Sequence, residues 1–546
     1  MKLSTVTYIA GFILIGLLIL IMFDSLNFNN PYFWNGYNVI TNSDSSLLYQ
    51  ISKEFINHPA SLHDWDFGTC FYIFPNLLIM MLGTLLFSNP SIVVFFSAIV
   101  IFTLQLFLVN LLFKKILPNI SKYSLIITNF AILLFLINTI KNNEFGLLTA
   151  NLFLPLHSGA FINMLIATIL TVIFLKTNKW KYLVIAAILI VLSIISDFIF
   201  YIYFIVPVFV TIITLVSFRK IDYKNKNLIL LFATIIVFGA IGYWVQRIIA
   251  IRISGIMPLR NMSDNIINSF HGIINDIPHL AMANKITITI SLLTICCFII
   301  SIYILIINLF KPKKQDTNWI FISYLIFFVC FFIVSFLAPV INGIYLGIDC
   351  VRYFLPVIYL ALFNTGLLID YLLRNSLKKE IYIGVIAISI LLVSGIYIIS
   401  NFHENNPKRA ISKIYNYYPT CVSAVDKLSK QYNVKNGIGN YWDARFLTLF
   451  SKEKVIVNAL GHGFNPSKFA NNTHSFYFQN YNDSSKMIYN FIVIQNLNDT
   501  TSIYNTFDKN LIKKVEIDGF KFYLLPDFIV NKDYTGFELL KKSNNE

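Results

Sequence analysis

The sequence predicts a mainly α protein. It has a polytopic helical membrane domain of about eleven spans plus a re-entrant segment, followed by a C-terminal extracytoplasmic α/β domain. Three observations predict this. Apolar runs of membrane-spanning length recur from Thr5 to Ser400. Of the 546 residues 57% are hydrophobic and only 13% charged, with a mean hydropathy of +0.68. A soluble domain carries about 25% charged residues, so this chain lacks the polar surface to cover itself in water. Beyond residue 401 the apolar runs stop and short helix and strand patterns alternate. The chain is therefore divided into 1–401 and 402–546.

The first run, Val6 to Phe23, follows Lys2 and lacks a small-x-small cleavage site, since Asp24, Ser25, Leu26 and Asn27 come next. It reads as an uncleaved first helix. Backbone groups in hydrocarbon must find partners within their own segment, so each long apolar run is a helix. Spans are expected near 5–23, 91–113, 123–140, 159–175, 180–196, 198–218, 227–250, 285–310, 318–338, 351–373 and 380–400. The run 70–87 is apolar but short, and Pro75 and Gly83 interrupt it. Its status sets the parity of everything after it.

Basic loop residues decide that parity, because Lys and Arg accumulate on the cytoplasmic side. The clusters are Lys114/Lys115/Lys122, Lys176/Lys179/Lys181, Arg219/Lys220/Lys224/Lys226, Lys311/Lys313/Lys314 and Arg374/Lys378/Lys379. All five fall on one side, with Lys2, if 70–87 is re-entrant. The N-terminus is then inside and the C-terminal domain outside. The outer loops hold Asp44, His58, His63, Asp64, Asp66, Glu144, His157, Asp197, Arg252, Arg260, His271, Asp276, His279 and Asp349. Chemistry belongs to that face.

In the tail, Cys421–Tyr432 reads as an amphipathic helix, Lys454–Asn458 and Asn490–Gln495 as strands. Val515–Ile517 and Lys521–Leu525, parted by Asp518-Gly519, read as a hairpin with a two-residue turn. No internal repeat is present.

Composition also excludes classes of function. The net charge of +15 lies mainly in short loops, where it sets orientation and builds no nucleic-acid groove. The six cysteines, Cys70, Cys296, Cys297, Cys330, Cys350 and Cys421, form no CxxC pair or Cys/His metal spacing. No Walker loop, nucleophile elbow or HExxH occurs, so a nucleotide-driven mechanism has no anchor.

Four constellations remain. Asp44, in TNSDSSLLYQ, opens a stretch that reads as an interfacial helix over 45–55, so its carboxylate sits at headgroup depth. Such an acid can deprotonate a hydroxyl or hold a cation against a phosphate; it can equally be an N-cap. His63, Asp64 and Asp66 follow in the same loop, where solvated carboxylates are the plainer reading. Asp197, in SIISDFIFYIYFIVP, is an ionisable group at the membrane boundary and either functional or a cap. Arg352, entering the span 351–373, suits a bidentate phosphate contact; snorkelling, or an i,i+3 pair with Asp349, would also explain it. Arg252 and Arg260 offer the same phosphate chemistry. In the tail, Tyr441, Trp442 and Asp443 follow a probable strand ending in Gly437 and Gly439 and are placed on a loop. Rings beside a carboxylate can grip a sugar or dock the tail on the membrane domain.

Together these segments resemble the bacterial GT-C glycosyltransferases of the protein O-mannosyltransferase and aminoarabinose-transferase-like superfamily. The residues that carry the resemblance are Asp44, Ser196-Asp197 with Pro207, Arg352-Tyr353-Phe354-Leu355-Pro356 and Tyr441 to Thr448. It spans the whole chain in architecture, on short motifs. It implies a polyprenyl-phosphate sugar as donor and an envelope glycan or lipid as acceptor, with transfer on the extracytoplasmic face of a bacterial inner membrane. By the family pattern Asp44 is the first-loop catalytic acid, as base or as phosphate or metal organiser, and Arg352 holds the donor phosphate. Ser45 follows Asp44 where a second acid is usual, which leaves Asp64 or Asp66 as substitutes. A divalent metal stays open, and no other cofactor is implied. The triplet Tyr441-Trp442-Asp443 resembles the oligosaccharyltransferase motif in its residue types, and en bloc transfer is not assigned from it.

Two other classes fit a multispan chain. A lipid-linked glycan flippase needs polar residues through the midplane, supported by inverted repeats, whereas the charges here lie at span ends. An O-antigen polymerase or ligase is expected to have basic outer loops without a folded α/β tail.

Overall fold

The computed structural model describes residues 3–25, 43–59, 64–67, 70–141, 152–153, 157–220, 225–249, 262–310, 318–345, 347–401, 407–461, 465–467, 471–480, 483–493, 501–531 and 536–540. In every window expected to span there is a helix. These are α1 (Leu3–Ser25), followed by the loop helix α2 (Ser43–Asn57) and the short α3 (Leu78–Leu86), then α4 (Pro90–Ile116), α5 (Lys122–Ala131) and α6 (Leu133–Lys141). There follow α7 (Ser158–Thr177), α8 (Trp180–Ser196), α9 (Val206–Ser217), α10 (Lys226–Ile249), α11 (Met262–Met282), α12 (Lys285–Phe310), α13 (Trp319–Ile341), α14 (Leu355–Leu372) and α15 (Lys379–Asn401). Eight are long and apolar enough to cross a membrane: α1, α4, α7, α10, α12, α13, α14 and α15. The remaining expected spans are shorter apolar helices, at Lys122–Asn138, Trp180–Ser196 and Tyr201–Ser217. The protein is a multi-pass helical membrane protein with a C-terminal α/β domain.

Contacts between loops sort the helix ends onto two faces, and the sorting requires 70–87 to enter and leave by the same face. On one face the backbone of Tyr72 meets Ser196, and Asn89, just past α3, donates to the Tyr415 carbonyl next to the C-terminal domain. On the opposite face Asp370, at the end of α14, is buried. It accepts from the Ser121 N–H at 2.8 Å, the Ser124 hydroxyl at 2.9 Å and Lys379 Nζ at 2.7 Å, which ties α5, α14 and α15 together. Between the faces, polar pairs join helices inside the bundle. Tyr324 donates to Asn364 Oδ1 at 2.6 Å, and Asn110 to Asn129 at 3.1 Å. Small residues set the closest approaches. A methyl group at Gly366 of α14 would overlap the Ser124 carbonyl and Thr128 of α5.

The segment 251–284, read as a loop, contains α11, an amphipathic helix. Ser269 and Ile273 pack inward against α12 and α13; Ile267, Phe270 and Ile274 are exposed and apolar; Asn268, His271 and Asn275 are exposed and polar. That division suits a helix lying in a membrane interface; its single apolar face, with Ile266, Ile267, Phe270, Ile273, Ile274 and Ile277, is backed by a polar one, so it does not read as a span.

After α15, α16 (Pro407–Tyr415) packs on α1 and α4. Asp24, at the end of α1, has a fully buried side chain. Arg409 grips it at 2.8 and 2.9 Å through Nε, and Lys413 Nζ lies 3.1 Å from Oδ1. The helices α17 (Thr420–Tyr432), α18 (Tyr441–Phe450) and α19 (Thr501–Thr506) then combine with a sheet. Two-residue β1 (Trp65–Asp66) comes from the first loop. The rest are β2 (Asn436–Asn440), β3 (Ile456–Leu460), β4 (Asn471–Asn472), β5 (Phe478–Asn480), β6 (Asp483–Lys486), β7 (Tyr489–Val493), β8 (Lys513–Ile517), β9 (Phe520–Val530) and β10 (Phe537–Leu539). The main sheet runs β10-β9-β7-β2-β3, with β8 also on β9. Strand β2 is parallel to both β3 and β7, and β9 is antiparallel to β7. Apolar clusters cover both faces, one containing Val422, Leu428 and Leu447, the other Phe476, Ile492 and Phe528. The expected hairpin is β8–β9, and its turn puts Asp518 and Gly519 at φ 51° and 81°.

Candidate functional site

The re-entrant segment builds the first part of the site. Tyr72, in the left-handed region, donates its N–H to the Ser196 carbonyl at 3.0 Å, and the Phe74 N–H reaches Ser196 Oγ at 2.8 Å. Asn163 of α7 donates to the Phe74 carbonyl at 3.1 Å, and Asn76 packs so closely on Gly159 that any side chain there would overlap it. The segment is thus pinned between α7 and the end of α8, beside Asp197.

Asp197 is 4% exposed and makes three contacts. Its Oδ1 accepts from the Ile199 N–H at 3.0 Å and from Cys70 Sγ at 3.5 Å, and its Oδ2 lies 2.7 Å from His157 Nδ1. The cap reading and the functional reading therefore meet in one carboxylate. One oxygen caps the corner, and the other holds a buried imidazole. With Asp197 ionised, Nδ1 is the donor and Nε2 the nitrogen left to exchange a proton. The His157 ring lies between Tyr72, edge-on at 5.8 Å, and Tyr353, tilted at 5.3 Å. Tyr353 follows Arg352, whose guanidinium is 5.3 Å from the Tyr353 ring. Asp197 and Arg352, predicted separately, are joined through His157 and Tyr353.

The second part is the seam between first loop and tail. Leu47, Leu48 and Ile51 bury one face of α2 against the bundle, where Ser52 Oγ and Thr84 Oγ1 are 2.8 Å apart. The other side of α2 packs on α18. There Glu54 accepts from Trp65 Nε1 at 2.8 Å, Asn472 Nδ2 at 2.7 Å and Gln50 Nε2 at 3.1 Å. Arg445 of α18 is 3% exposed, with its guanidinium 5.8 Å from the Trp65 ring and its charge acting on Glu54. Burial nonetheless raises the Glu54 carboxyl above the usual range; the three hydrogen bonds and Arg445 oppose this. Strand β1 pairs with β4, Trp65 opposite Asn472 and Asp66 opposite Asn471. Thr473 donates its N–H and its hydroxyl to the Asp64 carbonyl at 2.9 and 3.0 Å. Asp64 and Asp66 are half-buried members of this seam.

The third part corrects the tail motif. Tyr441, Trp442 and Asp443 form the first turn of α18, where a loop was expected, and Gly437 and Gly439 lie within β2. The reason is Asn440: its Oδ1 accepts from the Asp443 N–H at 2.9 Å, so the last strand residue is also the helix cap. Asn440 Nδ2 donates to Asp443 Oδ2 at 2.5 Å. Burial pushes the Asp443 carboxyl up to about 6, against the pull of Asn440. Burial also raises the Cys421 thiol to about 12, and Asp443 adds to the shift. This turn sits at the carboxyl end of β2, with parallel neighbours on either side, a position where open α/β sheets bind ligands.

The structure joins Asp197 to Arg352 through His157 and Tyr353, and places Asp64 and Asp66 in the seam between first loop and tail and Asp443 in the first turn of α18. Asp44 lies in the first turn of α2, but its side chain, like those of Tyr441, Trp442 and Asp349, is outside the described residues. His63, Arg252 and Arg260 are also outside them. Among the described residues no three His, Cys, Asp or Glu side chains gather to hold a metal ion; Cys70 and His157 sit on opposite oxygens of Asp197. Sequence reasoning missed His157, Glu54 and Arg445 as site residues. Their one signal was a charged or titratable group at a helix end or on a helix face that the tail had to cover.

No protein-family model matches the sequence, and no curated protein is similar to it. A similar solved structure is that of the Archaeoglobus fulgidus oligosaccharyltransferase complex with zinc and sulfate. It is 14% identical over 88% of this chain and 67% of that one, with a TM-score of 0.40. So distant a likeness leaves the chemistry of this chain to be argued from its own residues.

Proposed function

We propose that the chain is a membrane glycosyltransferase. It moves a sugar from a polyprenyl-phosphate donor to an envelope glycan or lipid acceptor, on the extracytoplasmic face of a bacterial inner membrane. The observation that carries this reading is the buried Asp197–His157 pair, joined through Tyr353 to Arg352 at the bundle end covered by the tail. A long-chain phosphate is both leaving group and anchor, so its chemistry must occur at a bundle end, near headgroup depth.

In this reading the acceptor hydroxyl attacks the anomeric carbon and the bond from that carbon to the phosphate oxygen breaks. The electron pair leaves with the polyprenyl phosphate. Asp44 takes the hydroxyl proton, with Asp64 and Asp66 as neighbouring carboxylates of the same loop. Arg352, with Arg252 and Arg260, faces the phosphate, and Asp197 keeps His157 oriented beside it. His63, Tyr441, Trp442 and Asp443 contribute to substrate binding from the loop and the tail.

The test is transfer by purified protein from a panel of polyprenyl-phosphate sugars, read by mass spectrometry of the product. Asp44→Asn is expected to abolish transfer and Arg352→Ala to raise the donor KM. His157→Gln is expected to lower kcat, because the ring that Asp197 orients against Tyr353 and Arg352 is lost. Failure of every donor in the panel defeats the reading, and full activity of Asp44→Asn removes that residue from it.

A further inference from the structure

Domains joined by a linker move relative to one another unless the interface between them is large or specific. Here the linker side is held by Asp24 with Arg409 and Lys413, whereas the active-face side depends on the seam between α2 and α18. That seam is polar at its centre. Glu54 touches both partners through its side chain. It bonds Trp65 of the first loop and Asn472 of the tail through the same oxygen, Oε2. Those two residues face each other in the β1–β4 pair, so the carboxylate closes the pair from the side. Arg445, buried on α18, supplies the opposing charge and covers the Trp65 ring. A purely apolar contact between two helices tolerates sliding. A half-buried carboxylate with directional donors on both sides does not, because any shift leaves a partly desolvated charge short of partners.

We propose that Glu54 is a positioning residue that latches the first-loop helix to the C-terminal domain, fixing α2 and α18 in one register through Trp65, Asn472 and Arg445. The register matters because α2 begins with Asp44 and α18 with Tyr441, Trp442 and Asp443. What it serves rests on the transferase reading; the latch itself does not.

Two variants separate the hydrogen bonds from the charge. Glu54→Gln keeps an oxygen for Trp65 and Asn472 while removing the charge opposite Arg445 and the acceptor for Gln50; Glu54→Ala removes every one of these contacts. Hydrogen exchange is measured on the full-length protein in nanodiscs. Glu54→Ala is expected to speed exchange at least tenfold in peptides covering 64–67 and 471–476 and in the first turns of α2. Peptides of α7 and α8 should be unchanged, and Glu54→Gln should restore most of the protection. In the transfer assay Glu54→Gln and Arg445→Met are each expected to lower kcat severalfold with the donor KM unchanged, and the double variant to fall no further than the worse single one. Unaltered exchange at the seam in Glu54→Ala overturns the proposal, and so do multiplied effects in the double variant. If the parent transfers no sugar while the seam loosens as expected, the latch stands and the transferase reading fails.

Discussion

At the scale of single residues, burial decides what each acid can do. Asp197 is buried yet satisfied, by a backbone N–H, a thiol and an imidazole, so its charge is spent on holding His157 and closing a corner. Asp443 is different, because burial outweighs its one strong partner, Asn440, and its carboxyl rises to about 6. The fold therefore favours the protonated form. The resulting stability is complete below an unfolded-state value of about 4 and is lost as pH rises through about 6. Thermal unfolding of the purified protein should show a melting temperature that falls across this window, and Asp443→Asn should flatten the slope. Parallel slopes for the two proteins would assign the effect to another group.

At the scale of elements, the bundle is set by small residues and paired polar groups. Gly366 lets α14 lie directly on the Ser124 carbonyl of α5, next to the Asp370 hub that ties both to α15. Gly366→Ala should force the helices apart at an overpacking cost of about 1–3 kcal/mol. Gly395, on α15, has no neighbouring atom in the place of an added methyl group, so Gly395→Ala serves as the control. A melting temperature lowered only by the first substitution is the expected result. Spans were legible because their apolar runs are dictated by lipid alone. The boundaries of α4, α7, α12 and α15 fall within a few residues of the windows read from sequence. Helix α11 was legible and was passed over: Ile266, Ile267, Phe270, Ile273, Ile274 and Ile277 recur at helical spacing on one face, but the segment is too polar overall to stand out as a span. The first turn of α18 was missed for a different reason. Asn440 ends a strand and caps a helix at once, leaving no loop residues between the two patterns.

At the scale of the whole molecule, the loop contacts divide the helix ends into a face with the tail and a face with the Asp370 hub. The basic clusters Lys114/Lys115 and Arg374/Lys378/Lys379 lie on the latter. By the positive-inside rule we propose that the tail lies outside. Cysteines introduced at exposed Lys435 in the tail and exposed Lys378 on the opposite face test this in intact cells. A membrane-impermeant thiol reagent should label Lys435→Cys directly and Lys378→Cys only after permeabilisation. The reverse pattern would invert the orientation.

The sequence by itself determined the membrane-embedded helices, the α/β tail with its Asp518-Gly519 hairpin, and the individual acids and arginines worth considering. Each of these follows from local physics: hydrocarbon demands helices, and a tight turn demands residues that accept positive φ. Only the tertiary structure decided that Asp197 binds His157 and that Tyr353 brings Arg352 to the same place. It alone decided that Glu54 meets Asn472 and Arg445, some four hundred residues further along the chain. Such meetings depend on which helix ends share a face and how the tail is docked. No local periodicity encodes that, because side chains distant in sequence choose partners only after the elements carrying them have packed.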